Sequence, residues 1–331
     1  MKCRLSLVTA WMCLGALSAQ GQITADADFT ARCNAAGVIE CFAFDNTTTD
    51  IVKGTNLFGD GAGTIRAGLD TTQKASGAGS LRFDLPPPPH SGANIAGSWV
   101  SGPWDRTFSE SSTFYVQYRL RLSRNMVVSS PYGSEAIWKT SIFHFGNRTC
   151  GSIELTTSNY YGQPLPQLDT DCGSKWMWTT PDGTTPTMNP PLLMQQTDDL
   201  KCAYGVNYSQ NCQMFVPDEW MTLYYRFQVG TWDQANSQVD AWIGRQGAPL
   251  KQFIKIRNFT LSCNDSPCTV SPARDAGYNN VTLTPYMTRL DPNVGPSSTE
   301  YMWFDEFIVS TQPIAAPGVP RPNPPTGVSA N

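Results

Sequence analysis

Between Phe114 and Leu122 the chain alternates without a break. Phe114, Val116, Tyr118, Leu120 and Leu122 fall on one side of an extended chain, and Tyr115, Gln117, Arg119 and Arg121 on the other. A period of two over nine residues is a strand with one greasy face, and such a face must be covered by a second layer. The pattern recurs at Trp220–Val229, where Met221, Leu223, Tyr225, Phe227 and Val229 alternate with Thr222, Tyr224, Arg226 and Gln228. Further strands are expected at 79–85, 137–145, 151–156, 237–243, 252–259, 281–287 and 301–310, with Gly, Pro, Asn and Asp between them. No helical stripe of useful length and no fixed-period repeat accompanies them. With only 15% charged residues and abundant Gly, Pro and aromatics, the composition suits a turn-rich all-β domain.

The first residues read as an export signal spanning 1–21. Lys2 and Arg4 precede an apolar run from Leu5 to Leu17, and the small residues Ser18, Ala19 and Gly21 follow. No later segment is apolar for long enough to span a bilayer. The expectation is a protein secreted to the extracellular space or periplasm. Loss of Lys2 and Arg4 moves the net charge from -4 to -6, which argues against nucleic acid or an anionic membrane as partner.

Ten cysteines become eight when Cys3 and Cys13 leave with the signal. An even number in an exported chain points to disulfides. The local couples are Cys33–Cys41, Cys150–Cys172, Cys202–Cys212 and Cys263–Cys268, although eight cysteines allow many other pairings. Zinc would need clustered C-x-x-C spacings, and there are none. The stretch 157–217 is rich in Pro, Gly and Thr and is expected as a long disulfide-tied loop region. The domain is expected over 22–312, followed by a Pro-rich tail at 313–331.

Four segments together resemble a known family. They are Tyr115–Arg121, Ile137–Thr140, Glu219–Arg226 and Trp303–Val309. Their order is similar to that of the concanavalin A-like jelly-roll superfamily, which includes secreted bacterial polysaccharide lyases and lectin-like domains. The resemblance covers roughly residues 40–312 in outline. It implies a jelly-roll β-sandwich of two antiparallel sheets, with a groove for a polysaccharide or oligosaccharide.

Lyases of that kind act on uronate polymers by β-elimination. A cationic or polar group neutralises the carboxylate, a base takes the neighbouring C–H proton, and an acid protonates the leaving oxygen. On this reading Gln117, Arg119, Arg121 and Arg226 hold the carboxylate, while His144 and Tyr224 are candidates for proton transfer. The plain alternative is that the arginines serve the sheet, paired with internal acids such as Glu154 or Asp240. Lys139 is a further substrate-binding candidate. In a regular strand, however, His144 travels with Trp138, Thr140 and Ile142, opposite Lys139 and Ser141; only a bulge would bring Lys139 and His144 to one face.

Asp305 and Glu306 are adjacent, so a regular strand turns them to opposite faces, and no E-x-D-x-E pattern of a jelly-roll glucanase is present. Trp176, Trp178, Tyr160 and Tyr161 are candidates for stacking on sugars. No cofactor is expected. A structural calcium ion is compatible with Asp169, Asp171 or Asp305, though no EF-hand spacing supports it. The six N-x-S/T sequons are incidental if the signal is of the bacterial type it resembles. Two functions stay open: an extracellular polysaccharide lyase acting on an acidic glycan, or a non-catalytic carbohydrate-binding or surface-structural domain of the same fold.

Overall fold

The alternating runs become strands, and their greasy faces meet. The structure is a computed structural model; it describes residues 24–51, 64–65, 67–127, 132–144, 155–160, 162–169, 175–178, 192–193, 195, 197, 202, 212–232, 234–262 and 277–318. The first half contains α1 (Ala25–Cys33), β1 (Val38–Phe42), β2 (Thr64–Ile65), β3 (Ala67–Asp70), β4 (Ser80–Leu85), β5 (Ala96–Gly97), β6 (Trp99–Val100), β7 (Thr113–Leu122), α2 (Arg124–Val127) and β8 (Ile137–His144). There follow β9 (Leu155–Tyr160), β10 (Gln163–Asp169), β11 (Lys175–Trp178), β12 (Leu192–Leu193), β13 (Met221–Gln228), β14 (Ala235–Arg245), β15 (Lys251–Ser262), β16 (Asn280–Leu283), β17 (Met287–Thr288) and β18 (Glu300–Ser310).

Two antiparallel sheets result, with β2 and β5 paired in parallel apart from them. The larger runs β11-β15-β14-β13-β7-β18-β4-β3, with β1 joining β18 beyond the end of β4. The smaller runs β12-β10-β9-β8-β16-β6, with β17 beside β8. The chain passes back and forth between them: β7 lies in the larger sheet, β8–β10 in the smaller, β13–β15 in the larger, β16 in the smaller and β18 in the larger. This is a jelly-roll sandwich. The apolar sets of β7 and β13 face β8 across the core; Phe143 lies 4.6 Å from Phe227 and 5.1 Å from Tyr225 between ring centroids. Buried hydroxyls at the centre are satisfied by one another. Tyr118 Oη donates to Ser141 Oγ at 3.0 Å, and Thr157 Oγ1 donates to Tyr225 Oη at 2.9 Å.

Three local departures from the expected pattern stand out. The stretch 157–217 is not all loop: β10, β11 and β12 lie within it, and β9 runs to Tyr160. The helix α1 has no counterpart in the sequence reading. Thr24 caps it, Asp26 and Asp28 sit in its first turn and Arg32 in its last, but only Phe29 and Arg32 are buried, so it has no stripe to recognise. Finally, Ile314 is buried and Ala315 accepts a hydrogen bond from Gln117, so contacts with the larger sheet continue beyond residue 312. None of the helices described is long and apolar enough to cross a membrane.

Cys33–Cys41 and Cys202–Cys212 are disulfides, as the nearest-neighbour pairing expects. The pairs Cys150–Cys172 and Cys263–Cys268 lie outside the described residues. Cys33–Cys41 ties the end of α1 to β1 across a separation of 8 residues. Replacing both cysteines by serine should lower stability by about 2–3 kcal/mol, from the loop-closure entropy returned to the unfolded chain. Denaturant titration of the double variant checks this, and an unchanged midpoint would refute it.

Candidate functional site

The seven side chains singled out for carbohydrate chemistry fall on two opposite sides of the sandwich. Gln117, Arg119, Arg121, Tyr224 and Arg226 point outward from the larger sheet, and Lys139 and His144 point outward from the smaller. No single sugar can touch both sets.

The outward face of the larger sheet is occupied by the chain itself. The helix α1 and residues 311–315 lie on it. Phe29, Ile314, Tyr224 and Ile308 form a second small apolar cluster there. Arg32 Nη1 donates to Gln117 Oε1 at 2.8 Å, and Arg32 Nη2 pairs with Glu306 Oε2. Gln117 Nε2 donates to Ala315 O at 3.1 Å. Arg119 is 6% exposed and meets Glu306 at 3.8 Å; burial pushes its pKa down, with Glu306 opposing.

Tyr224 Oη accepts from Ile314 N at 3.1 Å beneath the cluster with Phe29 and Ile314, and burial raises its pKa to about 12. Arg121 donates to Asp218 O and lies over Trp303. Arg226 pairs with Asp240 at 2.8 Å. The groove expected along Gln117, Arg119 and Arg121 is therefore filled here, and Asp240 serves as the internal acid of the plain alternative.

Asp305 and Glu306 both point outward, against the parity expectation. A bulge in β18 shifts the register between Asp305 and Ile308, and Glu306 adopts a positive φ of 49°. Asp305 accepts backbone N–H groups from Ala75, Ser76 and Glu306, so its oxygens are committed to the fold rather than available to calcium. Asp169 lies on β10 and Asp171 outside the described residues. Among the described residues no group of three His, Cys, Asp or Glu side chains is placed to hold a metal ion.

The smaller sheet presents a different surface. Lys139 is opposite Ser158 on β9, yet Ser141 is opposite Thr157, so Thr140 is an extra residue in β8. Thr140 and Ser141 both reach Tyr118 Oη in the core. The bulge reverses parity, and Lys139, Ile142 and His144 come to share the outward face. Beside them on that face stand Thr156 and Ser158 of β9, Gln167 of β10, and Asn280 and Thr282 of β16. All of these polar side chains are at most 5% exposed. His144 Nε2 lies 2.6 Å from Thr282 Oγ1, and Lys139 Nζ stands 4.9 Å from the centre of the Tyr286 ring.

Lys139 and His144 remain roughly 15 Å apart along β8 at about 3.3 Å per residue, farther than one monosaccharide extends. The sequence reading missed Thr156, Ser158, Gln167, Asn280, Thr282 and Tyr286. The available signal was the unbroken polar run Thr156–Asn159, which the expected strand end at 156 cut short. Of the aromatic candidates, Trp176 and Trp178 fall on β11, at the edge of the larger sheet, Tyr160 ends β9, and Tyr161 lies outside the described residues.

No family model matches the chain, and no curated protein matches it. Solved structures of similar course exist at low identity. The endo-β-1,4-glucuronan lyase from the fungus Trichoderma reesei is 9% identical, with 75% of this chain and 87% of that one covered and a TM-score of 0.43. The PL-14 alginate lyase from the marine Aplysia kurodai is 10% identical over 74% and 87%, with a TM-score of 0.44. A cellulose-induced protein is 13% identical over 82% and 98%, with a TM-score of 0.45. Likenesses at this level carry no argument about activity.

Proposed function

We propose that this protein is an extracellular polysaccharide lyase that cleaves a uronate-containing glycan by β-elimination on the outward face of its smaller sheet. The observation that supports this reading is the bulge at Thr140, which sets Lys139 into a shielded polar face beside Ser158 and Gln167. A cation in such surroundings attracts a carboxylate more strongly than one in water. Lys139 neutralises the uronate carboxylate, which acidifies the adjacent C–H. As the proton leaves, a carbon–carbon double bond forms and the glycosidic C–O bond breaks, and the departing oxygen takes up a proton. Tyr286, against which Lys139 rests, is the group we assign to both transfers: its phenolate takes the C–H proton, and its hydroxyl then returns that proton to the departing oxygen. His144, farther along β8, contacts a neighbouring sugar.

The second reading is a non-catalytic binder. The spread of Lys139 and His144 along the strand favours it, because such spacing also suits holding a polymer at successive sugars. Alginate, glucuronan and polygalacturonate should separate the two. With the lyase, ultraviolet absorbance of an unsaturated uronate product rises on at least one polymer. Lys139→Ala should cut that rate by about 100-fold or more without lowering the unfolding temperature. Binding without product would leave the binder. Neither binding nor product would remove the site.

A further inference from the structure

Among the described residues, the buried oxygens Gln167 Oε1 and Thr156 Oγ1 on this face have no hydrogen-bond partner. Both side chains are fully shielded from solvent. Buried polar atoms are nearly always satisfied, so two orphans on one face of one sheet call for a cause. The orientation of the Gln167 amide is settled by its other end. Nε2 donates to Asn159 O at 3.1 Å and to Ser158 Oγ at 3.2 Å. A backbone carbonyl can only accept, so the nitrogen cannot exchange places with the oxygen, and Oε1 is held as an acceptor waiting for a donor.

The positions matter as much as the chemistry. Gln167 is opposite Ser158, and Ser158 is opposite Lys139, so the three form a row across β10, β9 and β8. Two strand spacings place Gln167 about 10 Å from Lys139. Thr156 is the next residue of β9 on the same face, diagonal to Gln167 at about 7–8 Å. The pair is thus spaced for one pyranose ring beside the ring whose carboxylate meets Lys139.

We propose that Gln167 and Thr156 form a subsite that selects a sugar with free secondary hydroxyls and rejects its O-acetylated form; this rests on the site assignment above. A free hydroxyl donates to Gln167 Oε1, and Thr156 Oγ1 donates or accepts as the second contact. An O-acetyl group has no proton to give, so its entry leaves the glutamine oxygen buried and unpaired. Sites built to bond a hydroxyl reject analogues lacking it far more strongly than apolar pockets reject an extra methylene.

The test offers alginate, glucuronan and polygalacturonate to the full chain, each plain and chemically O-acetylated, and measures binding by affinity electrophoresis. The wild-type protein should bind one plain polymer at least 10-fold more tightly than its acetylated form. Gln167→Leu and Thr156→Val, close in shape to the originals, should weaken binding of the plain polymer and shrink that preference to about 3-fold or less. Thr156→Val leaves the Gln167 bonds to Ser158 and Asn159 intact, so it carries the test if Gln167→Leu fails to fold. Wild-type binding with an undiminished preference in the folded variants overturns the subsite and leaves the site assignment standing. Wild-type binding with no preference overturns it as well. Failure of the wild-type protein to bind any of the polymers overturns both.

Discussion

Replacing Glu306 by alanine is expected to lower the stability of the domain by about 3–5 kcal/mol. Glu306 is 1% exposed, and its carboxylate faces two buried guanidiniums, those of Arg32 and Arg119. Removing it takes from Arg119 its ion-pair partner and leaves Arg32 with Asp28, at 2.9 Å, as its remaining carboxylate, while both cations stay out of water. The cost exceeds what the pairs add over an apolar equivalent, because most of it is the desolvation of the charges left behind. Arg119 is the more vulnerable, since its Nε and Nη2 are already buried without a partner among the described residues. For a domain of this size the loss corresponds to a fall in unfolding temperature on the order of 10 °C. The second consequence is local: Arg32 is what seats α1 on Gln117 and Glu306, so α1 should become protease-sensitive before the sandwich does. An unfolding temperature within a degree or two of wild type would show that these charges are solvated and that the helix is not docked as described.

Stability should also fall as pH rises from about 4 to about 8, and Asp305 should be a principal cause. Burial raises its pKa from 3.8 to about 8, with Glu306 adding to the shift and three backbone N–H groups opposing it. Over that window the folded protein holds a proton that the unfolded chain has released. The contribution is therefore fully present below pH 4 and is lost as pH rises through 8. A shift of this size is on the order of several kcal/mol. Asp305→Asn cannot ionise, so its unfolding free energy should change less between pH 5 and pH 8 than that of the wild type. The variant starts lower, since its amide nitrogen meets a backbone N–H that a carboxyl oxygen accepted, and the slope rather than the level is the criterion. Parallel slopes for the two proteins, measured by urea titration at several pH values, would show that Asp305 is ionised in the fold throughout.

Both residues belong to one bulge, and bulges mark where reading this chain from its residues stops working. The alternation at 114–122 and 220–229 is obeyed: the apolar members of β7 and β13 are in the core and the polar members face outward. The same rule fails at Asp305–Glu306 and at Thr140, where one extra residue turns the strand over. An inserted residue leaves no mark in composition or period. It is tolerated because of what lies across the sheet, here Arg119 beside Asp305 and Tyr118 beneath Thr140 and Ser141. The expected site inherits both limits. Gln117, Arg119 and Arg121 do share a face, but whether that face is open depends on α1, a nine-residue helix that Phe29 and Arg32 hold in place from far away in sequence.

The residues alone determined the all-β class and the inward faces of the long strands, and they favoured the nearest-neighbour pairing that Cys33–Cys41 and Cys202–Cys212 follow. All of these depend on local spacing, which the order of residues expresses directly. Only the tertiary structure decided that α1 and residues 311–315 lie on one outward face and that the other gathers Lys139, Ser158, Gln167 and Thr282 together. Those side chains come from β8, β9, β10 and β16, and their meeting is set by register between strands and by one bulge, neither of which any single segment encodes.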